Sequence, residues 1–96
     1  MRYFHRTSLK PEEVLAQADQ FLGARVGTGE SSARGRTFRG TVGAVKVSVR
    51  AEGGHYTLVT VETDQVGESE ADKLAKRLLA LVHAKHEPAH TLRGAY

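Results

Sequence analysis

Two runs of alternating apolar and polar residues, separated by Gly53-Gly54-His55, most constrain the fold of this chain. Residues 44–52 carry a valine or an alanine at nearly every second position, and residues 56–64 repeat the alternation. Period-two alternation of β-branched residues is typical of strands with one buried face. The two runs therefore predict an antiparallel β-hairpin.

The length of the connecting loop sets the register of this hairpin, because a one-residue slip exchanges the two faces of a strand. A two-residue turn would place Val59 and Val61 on the polar face. A three-residue loop, a common hairpin type with glycine available for positive φ, sets Val49 opposite Val59 and Val47 opposite Val61. We expect the second register because it groups the valines, each cross-strand pair contributing about 0.2–1 kcal/mol. It also pairs Lys46 with Glu62 and Ser48 with Thr60.

The length of 96 residues corresponds to one domain. A chain this short buries only about 60–70% of the surface that its unfolded form exposes, so a dimer interface would help to stabilise it. The sequence has no cysteine, which excludes disulfides and thiolate sites. No apolar run approaches the roughly 18 residues of a membrane span, and the first six residues lack the apolar core of a signal peptide. We therefore expect a cytoplasmic protein with no membrane association.

Two amphipathic helices flank the hairpin. The first is expected to begin at Pro11, which suits a first turn, and to end at Gly23. The second follows Ser69, a good N-cap with Asp72 at the capping-box position. Both have an apolar stripe at helical spacing. The stripes comprise Val14, Leu15, Ala18, Phe21 and Leu22 in the first helix, and Ala71, Leu74, Ala75, Leu78, Leu81 and Val82 in the second.

The remaining segments complete the order of elements. Residues 2–7 and 34–39 read as strands, and residues 24–35 read as a short strand and a turn. Gly27-Thr28-Gly29 resembles a phosphate cradle but lacks the Gly-Lys-Ser/Thr ending of a P-loop. The chain therefore predicts an α+β domain of order β-α-β(3–4)-α, residues 1–87, with a curved antiparallel sheet and both helices packed on one face. Pro88 ends the last helix, and residues 88–96 form a C-terminal tail.

This arrangement resembles the helix-grip architecture of START-type, or polyketide-cyclase-like, proteins, and the related fold of the TATA-box-binding protein. Three features carry the resemblance: the strand leading into Pro11-Glu12-Glu13-Val14, the valine-rich hairpin, and the apolar face from Leu74 to Val82. It covers most of the chain at the level of element order. It implies a long helix packed across a curved sheet and, for helix-grip proteins, a small apolar ligand held between them. No site residue of those families matches a motif here.

Several histidines are candidates for catalytic or metal-binding groups. His83, His86 and His90 cluster near the end of the last helix, and imidazoles are frequent metal ligands. Pro88 interrupts the helix before the third of them, however, and no acidic or thiolate ligand has a fixed place beside them. His55 lies in a tight turn, and the sequence shows neither the partner residue nor the pocket that a general base would need. We therefore predict no metal, cofactor or catalytic residue, and a protein that is not an enzyme.

The positive charge is unevenly distributed. Residues 25–50 carry six basic side chains and one acidic side chain, a surplus of +5 in a chain whose net charge is +3. Such asymmetry indicates either an anionic partner or a solvated strand face whose charges block aggregation. The candidate contact residues, assigned to the open face of the sheet, are Arg36, Arg39, Lys46, Arg50 and Tyr56.

Three functions are compatible with these features. The first is a non-enzymatic binding or self-association domain, forming a homodimer. The second is a nucleic-acid or polyanion binder that uses the basic open face, although Glu52 and Glu62 on that face oppose an anion. The third is a small apolar ligand carrier of the helix-grip type. We expect the first.

Overall fold

A computed structural model of the protein describes residues 1–86, without the side chains of Lys85 and His86. Within this part of the chain, five strands and two helices follow the order β-α-β-β-β-β-α, which confirms the α+β class. The predicted domain end at residue 87 and the tail, residues 88–96, lie outside the described residues. The elements are β1 (Arg2–Thr7), α1 (Pro11–Arg25), β2 (Ser31–Ser32), β3 (Gly35–Gly40), β4 (Gly43–Glu52), β5 (Tyr56–Thr63) and α2 (Glu70–His86).

The five strands form one antiparallel sheet of spatial order β1-β5-β4-β3-β2. Its centre is the β4–β5 hairpin, in which Val49 lies opposite Val59 and Val47 opposite Val61. The predicted register is therefore confirmed. The first strand of the chain, β1, pairs with β5 and lies at one edge of the sheet.

The hairpin loop explains why this register is adopted. Gly53 and Gly54 have φ angles of 61° and 75°, a left-handed conformation that glycine adopts without steric cost. The backbone N–H of His55 then donates a hydrogen bond to the Glu52 carbonyl oxygen at 3.3 Å. Three loop residues thus connect Glu52 to its cross-strand partner Tyr56.

The core forms where alternate hairpin residues meet the apolar stripes of the helices. Val47 and Val61 are 0% exposed, and burying such a side chain contributes roughly 1.5–3 kcal/mol. The buried apolar residues of both helices belong to the same core cluster, and the two helices contact each other. The cluster comprises Val14, Leu15, Ala18, Phe21, Leu22, Phe38, Val45, Val47, Val49, Val59, Val61, Ala71, Leu74, Ala75, Leu78 and Val82.

The end of α1 differs from the prediction. The helix continues past Gly23 and ends at Arg25, so the predicted end was wrong by two residues. The Arg25 guanidinium lies 4.2 Å from the centre of the Phe21 ring and donates a hydrogen bond to the Phe21 carbonyl oxygen at 3.2 Å. The Arg25 side chain thus adds a stacking contact and a second hydrogen bond to the last turns of the helix.

The glycines at positions 27 and 29 are explained by close backbone packing. A Cβ atom at Gly27 would lie 2.3 Å from the Arg39 carbonyl oxygen, and one at Gly29 would lie 2.2 Å from the Thr37 carbonyl oxygen. The Thr37 N–H also donates to the Glu30 carbonyl oxygen at 2.8 Å, which ties this segment to β3. Close packing against β3 therefore explains why glycine occupies both positions, and no phosphate is needed to explain it.

A buried carboxylate connects β1 to α2. Asp72 is 0% exposed; its Oδ1 accepts a hydrogen bond from the Tyr3 hydroxyl and its Oδ2 accepts one from the Glu68 N–H at 2.9 Å. The Tyr3 hydrogen bond, the Glu68 N–H and the Lys76 ammonium at 3.1 Å hold the pKa of Asp72 at about 2. Ser69 caps the helix as predicted, accepting the Asp72 N–H at 3.1 Å. The Asp72 carboxylate, however, binds β1 rather than completing a capping box.

The close approach at Gly29 gives a first prediction. Gly29→Ala should lower the free energy of unfolding by about 1–3 kcal/mol, because the added methyl group meets backbone that has to move. The matched control is Gly23→Ala, where the space is open and the site is helical. That variant should be more stable than the wild type by about 0.5–1 kcal/mol. Urea denaturation measures both, and equal effects of the two substitutions would contradict this packing.

The Asp72 network gives a second prediction, on acid stability. A carboxylate whose pKa is lowered on folding stabilises the native state above its unfolded pKa, and this contribution is lost as the pH falls through the folded value. The wild type should therefore lose stability between about pH 4 and about pH 2. Asp72→Asn should be less stable at neutral pH and should lose less over that interval. Urea midpoints across this range measure the effect, and an unchanged acid slope in the variant would refute the assignment.

A candidate interaction surface on the open sheet face

The outward-facing residues of the sheet form a solvent-exposed surface, which we call the open face. They alternate along each strand with the core residues and align in rows across the strands. One row contains Arg2, Glu62, Lys46 and Thr37; the next contains Phe4, Thr60, Ser48 and Gly35; the third contains Arg6, Leu58 and Arg50. The pairing of β1 with β5 therefore adds Arg2, Phe4 and Arg6 to the surface that the hairpin begins.

The β1–β5 side of the open face carries apolar and aromatic side chains. Phe4 is 61% exposed and lies beside the half-buried Leu58, and both line a shallow depression of about 300 Å³. Tyr56, the next outward-facing residue of β5, is 56% exposed. We call these three residues the apolar centre. Single exposed apolar side chains are ordinary on protein surfaces, but two exposed aromatics on one sheet face, with Leu58 between their positions in the register, are a feature of contact surfaces.

Charged side chains of both signs surround the apolar centre. Glu52 accepts from Arg6 Nε at 2.8 Å and from Arg50 Nη2 at 3.2 Å, and these guanidiniums, Arg6 first, lower the pKa of that carboxyl. Arg2 Nη2 lies 3.1 Å from Glu62 Oε2. Exposed salt bridges of this kind contribute only about 0–1 kcal/mol each to the stability of the fold. Their main consequence is that the arginine charges are locally balanced.

The predicted contact residues do not all lie together. Arg36 lies opposite Val47 and two positions before the buried Phe38 on β3. Because side chains two positions apart on a strand point to the same face, Arg36 is on the side of the sheet that faces the core. Its Nε lies 3.2 Å from the Asp19 carboxylate of α1, and its Nη1 donates to the Gly35 carbonyl oxygen at 2.9 Å. Arg36 therefore links β3 to α1 through a salt bridge with Asp19 and does not belong to the open face.

The other four predicted residues are on the outward side of the sheet, with different degrees of pairing. Arg39 Nη1 lies 2.7 Å from Glu30 Oε1. Arg50 binds Glu52, as described above. Lys46 is exposed and forms no ion pair with the described residues. Tyr56 is part of the apolar centre.

A polar groove of about 620 Å³ extends the open face toward β2 and the end of β5. Lys46, Arg39 and Glu62 contribute side chains to it, and so does Asp64. The Ala44 N–H donates to Asp64 Oδ1 at 2.8 Å, and this hydrogen bond, followed by one from the Gln65 amide, lowers the pKa of Asp64. The groove is open to solvent and contains both basic and acidic side chains. In this it resembles the charged rim around the apolar centre.

The histidines that the sequence offered as metal ligands do not form a cluster within the described residues. The His83 ring lies 5.8 Å from the His5 ring, at an interplanar angle of 78°. His90 and the His86 side chain lie outside the described residues. Within residues 1–86 no group of three or more histidine, cysteine, aspartate or glutamate side chains is placed to hold a metal ion. In the same range, no helix is long and apolar enough to cross a membrane.

Comparisons of this chain with protein-family models, with curated proteins and with solved structures gave no match. The resemblance to helix-grip proteins and to the TATA-box-binding protein fold therefore stays at the level of element order. Any function has to be argued from the residues of the open face and of the other surface features.

Proposed function

We propose that this chain is a non-enzymatic interaction domain that forms a homodimer through the open face of its sheet. The observation that carries the proposal is the exposed apolar centre. Phe4 and Tyr56 are more than half exposed on a face whose opposite side is covered by the core. A second copy of the same face would cover both aromatic rings and remove apolar surface from water, at about 25 cal/mol per Å².

The size of the open face supports a weak, reversible dimer. Its four longer strands contain 6, 6, 10 and 8 residues. With a strand spacing of about 4.8 Å and a rise of about 3.3 Å per residue, they span roughly 19 by 25 Å. The resulting area, about 500 Å² per protomer, is below the roughly 800 Å² per partner of a standard interface. We therefore expect a dissociation constant in the micromolar range.

The charge pattern also supports self-association. In a two-fold symmetric dimer the same patch contacts itself, so the patch has to be self-complementary. The rim of the apolar centre contains Arg6 and Arg50 beside Glu52, and Arg2 beside Glu62. Such a rim can meet a second copy without juxtaposing two large fields of one sign.

The two other functions have less support. A polyanion would have to compete with the carboxylates that bind the arginines of the open face, and Lys46 is the one basic side chain there that has no such partner among the described residues. An apolar ligand carrier needs an enclosed site of about 300 Å³ or more. The depression beside Phe4, the polar groove beside Lys46 and a third cavity on the helices are all open to solvent, and none of these three lies between the sheet and α2.

Sedimentation equilibrium tests the dimer. The wild type, measured from about 5 to about 500 µM, should shift from monomer to dimer. Phe4→Ser should weaken the dimer by about tenfold or more, because truncation of a large aromatic at the contact removes much of the interface energy. Phe4 is exposed, so the variant should keep its free energy of unfolding within about 0.5 kcal/mol.

The matched control is Val66→Ser, which changes a 76% exposed apolar residue in the loop after β5. It should leave the dissociation constant unchanged. A wild type that stays monomeric up to the highest concentration, or a dimer that Phe4→Ser and Val66→Ser affect equally, would refute the proposal. Steep salt-dependent binding of labelled DNA or RNA to the wild type, abolished by Lys46→Gln, would instead favour the polyanion function.

A further inference from the structure

A second surface feature lies on the helix layer, away from the open face. It is a groove of about 320 Å³ between the last turns of α1 and the middle of α2. Its lining combines apolar side chains with two guanidinium groups. The lining residues are Phe21, Arg25, Arg77, Ala80 and Leu81.

The two guanidiniums lie against the same aromatic ring, that of Phe21. The Cζ atom of Arg25 lies 4.2 Å from the centre of the Phe21 ring and that of Arg77 lies 5.6 Å from it, so the two charges are at most about 10 Å apart. Neither arginine has a carboxylate within ion-pair distance in the described part of the chain. This differs from the arginines of the sheet that bind carboxylates, which are Arg2, Arg6, Arg36, Arg39 and Arg50.

Stacking on Phe21 explains why each guanidinium is attracted to the ring, but two neighbouring charges of the same sign also repel each other. A bound anion removes this repulsion. Guanidinium groups present planar forks of N–H donors that match the oxygens of a phosphate or a carboxylate. A phosphate monoester carries a charge of about −1.5 to −2 near pH 7, which balances two arginines better than a single carboxylate does.

The apolar part of the groove indicates what the phosphate would be attached to. Leu81 is 38% exposed although its helix face is otherwise buried, and Ala80 beside it is also exposed. The sequence placed Leu81 in the apolar face of α2, and the structure leaves it at the edge of that face, inside the groove. An apolar substituent would cover this side chain while the phosphate contacts the two guanidiniums.

We propose that this groove binds a phosphate monoester that carries an apolar group, with Arg25 and Arg77 as the phosphate ligands and Leu81 as the apolar contact. The proposal is independent of self-association, because the groove lies on the helices and the apolar centre lies on the open face.

The experiment is a titration of the full chain with phenyl phosphate, followed by ¹H–¹⁵N NMR. Saturable shifts should concentrate at the amides of Phe21, Arg25, Arg77 and Leu81. Phenol, which lacks the anion, and inorganic phosphate, which lacks the apolar group, should each bind about tenfold or more weakly. Benzoate, a monoanion of similar shape, should bind more weakly than phenyl phosphate.

Variants decide whether the two arginines are responsible. Arg77→Gln should weaken phenyl phosphate binding by about tenfold, and Arg25→Gln should do the same, whereas Lys46→Gln removes an unpaired charge on the open face and should have no effect. Their ¹H–¹⁵N spectra verify that the variants are folded. Shifts spread over many basic residues, equal binding of phenol, or equal effects of Arg77→Gln and Lys46→Gln would overturn the proposal.

Discussion

The cross-strand contact between Val47 and Val61 is the interaction on which the rest of this structure depends. It exists in one register of the β4–β5 hairpin, and that register follows from a loop in which Gly53 and Gly54 adopt positive φ angles. A slip by one residue would turn Val59 and Val61 toward solvent and leave the helices without an apolar surface to cover. The same choice places Leu58 on the open face, next to Phe4.

The hairpin and the faces of the helices could be predicted because their signals are local. Alternation along β4 and β5 and helical spacing along α2 are visible within short windows of sequence. The capping role of Ser69 is equally local and was confirmed. The end of α1 was not predicted correctly, because the Arg25 side chain stabilises the last turn by stacking on Phe21 and binding its carbonyl oxygen.

The candidate surface was harder to predict because it joins strands that are far apart in the chain. Phe4 and Leu58 become neighbours through the pairing of β1 with β5, and no short sequence window contains both. Arg36 was assigned to the open face because β3 has a single large apolar residue, Phe38, and therefore no clear alternation. The buried contact between Tyr3 and Asp72 likewise spans 69 positions.

Charge placement changes the functional interpretation most. The sequence concentrates basic residues between positions 25 and 50, which suggested an anion-binding sheet. In the structure, Arg36, Arg39 and Arg50 bind carboxylates, while Arg25 lies on the helix layer. The open face is consequently a mixed-charge surface around an apolar centre. The guanidiniums of Arg25 and Arg77, which have no carboxylate partner among the described residues, line a different groove. We therefore separate protein contact at the sheet from anion binding at the helices.

The central claim is that the hairpin register creates an apolar centre that a second copy covers. It is tested most directly by isotope-filtered nuclear Overhauser spectra of a mixture of labelled and unlabelled protein at a concentration that favours association. The account predicts intermolecular cross-peaks from the Phe4 ring and the Leu58 methyl groups. Cross-peaks confined to another surface, or a register in which Leu58 contacts the core valines within one chain, would contradict it.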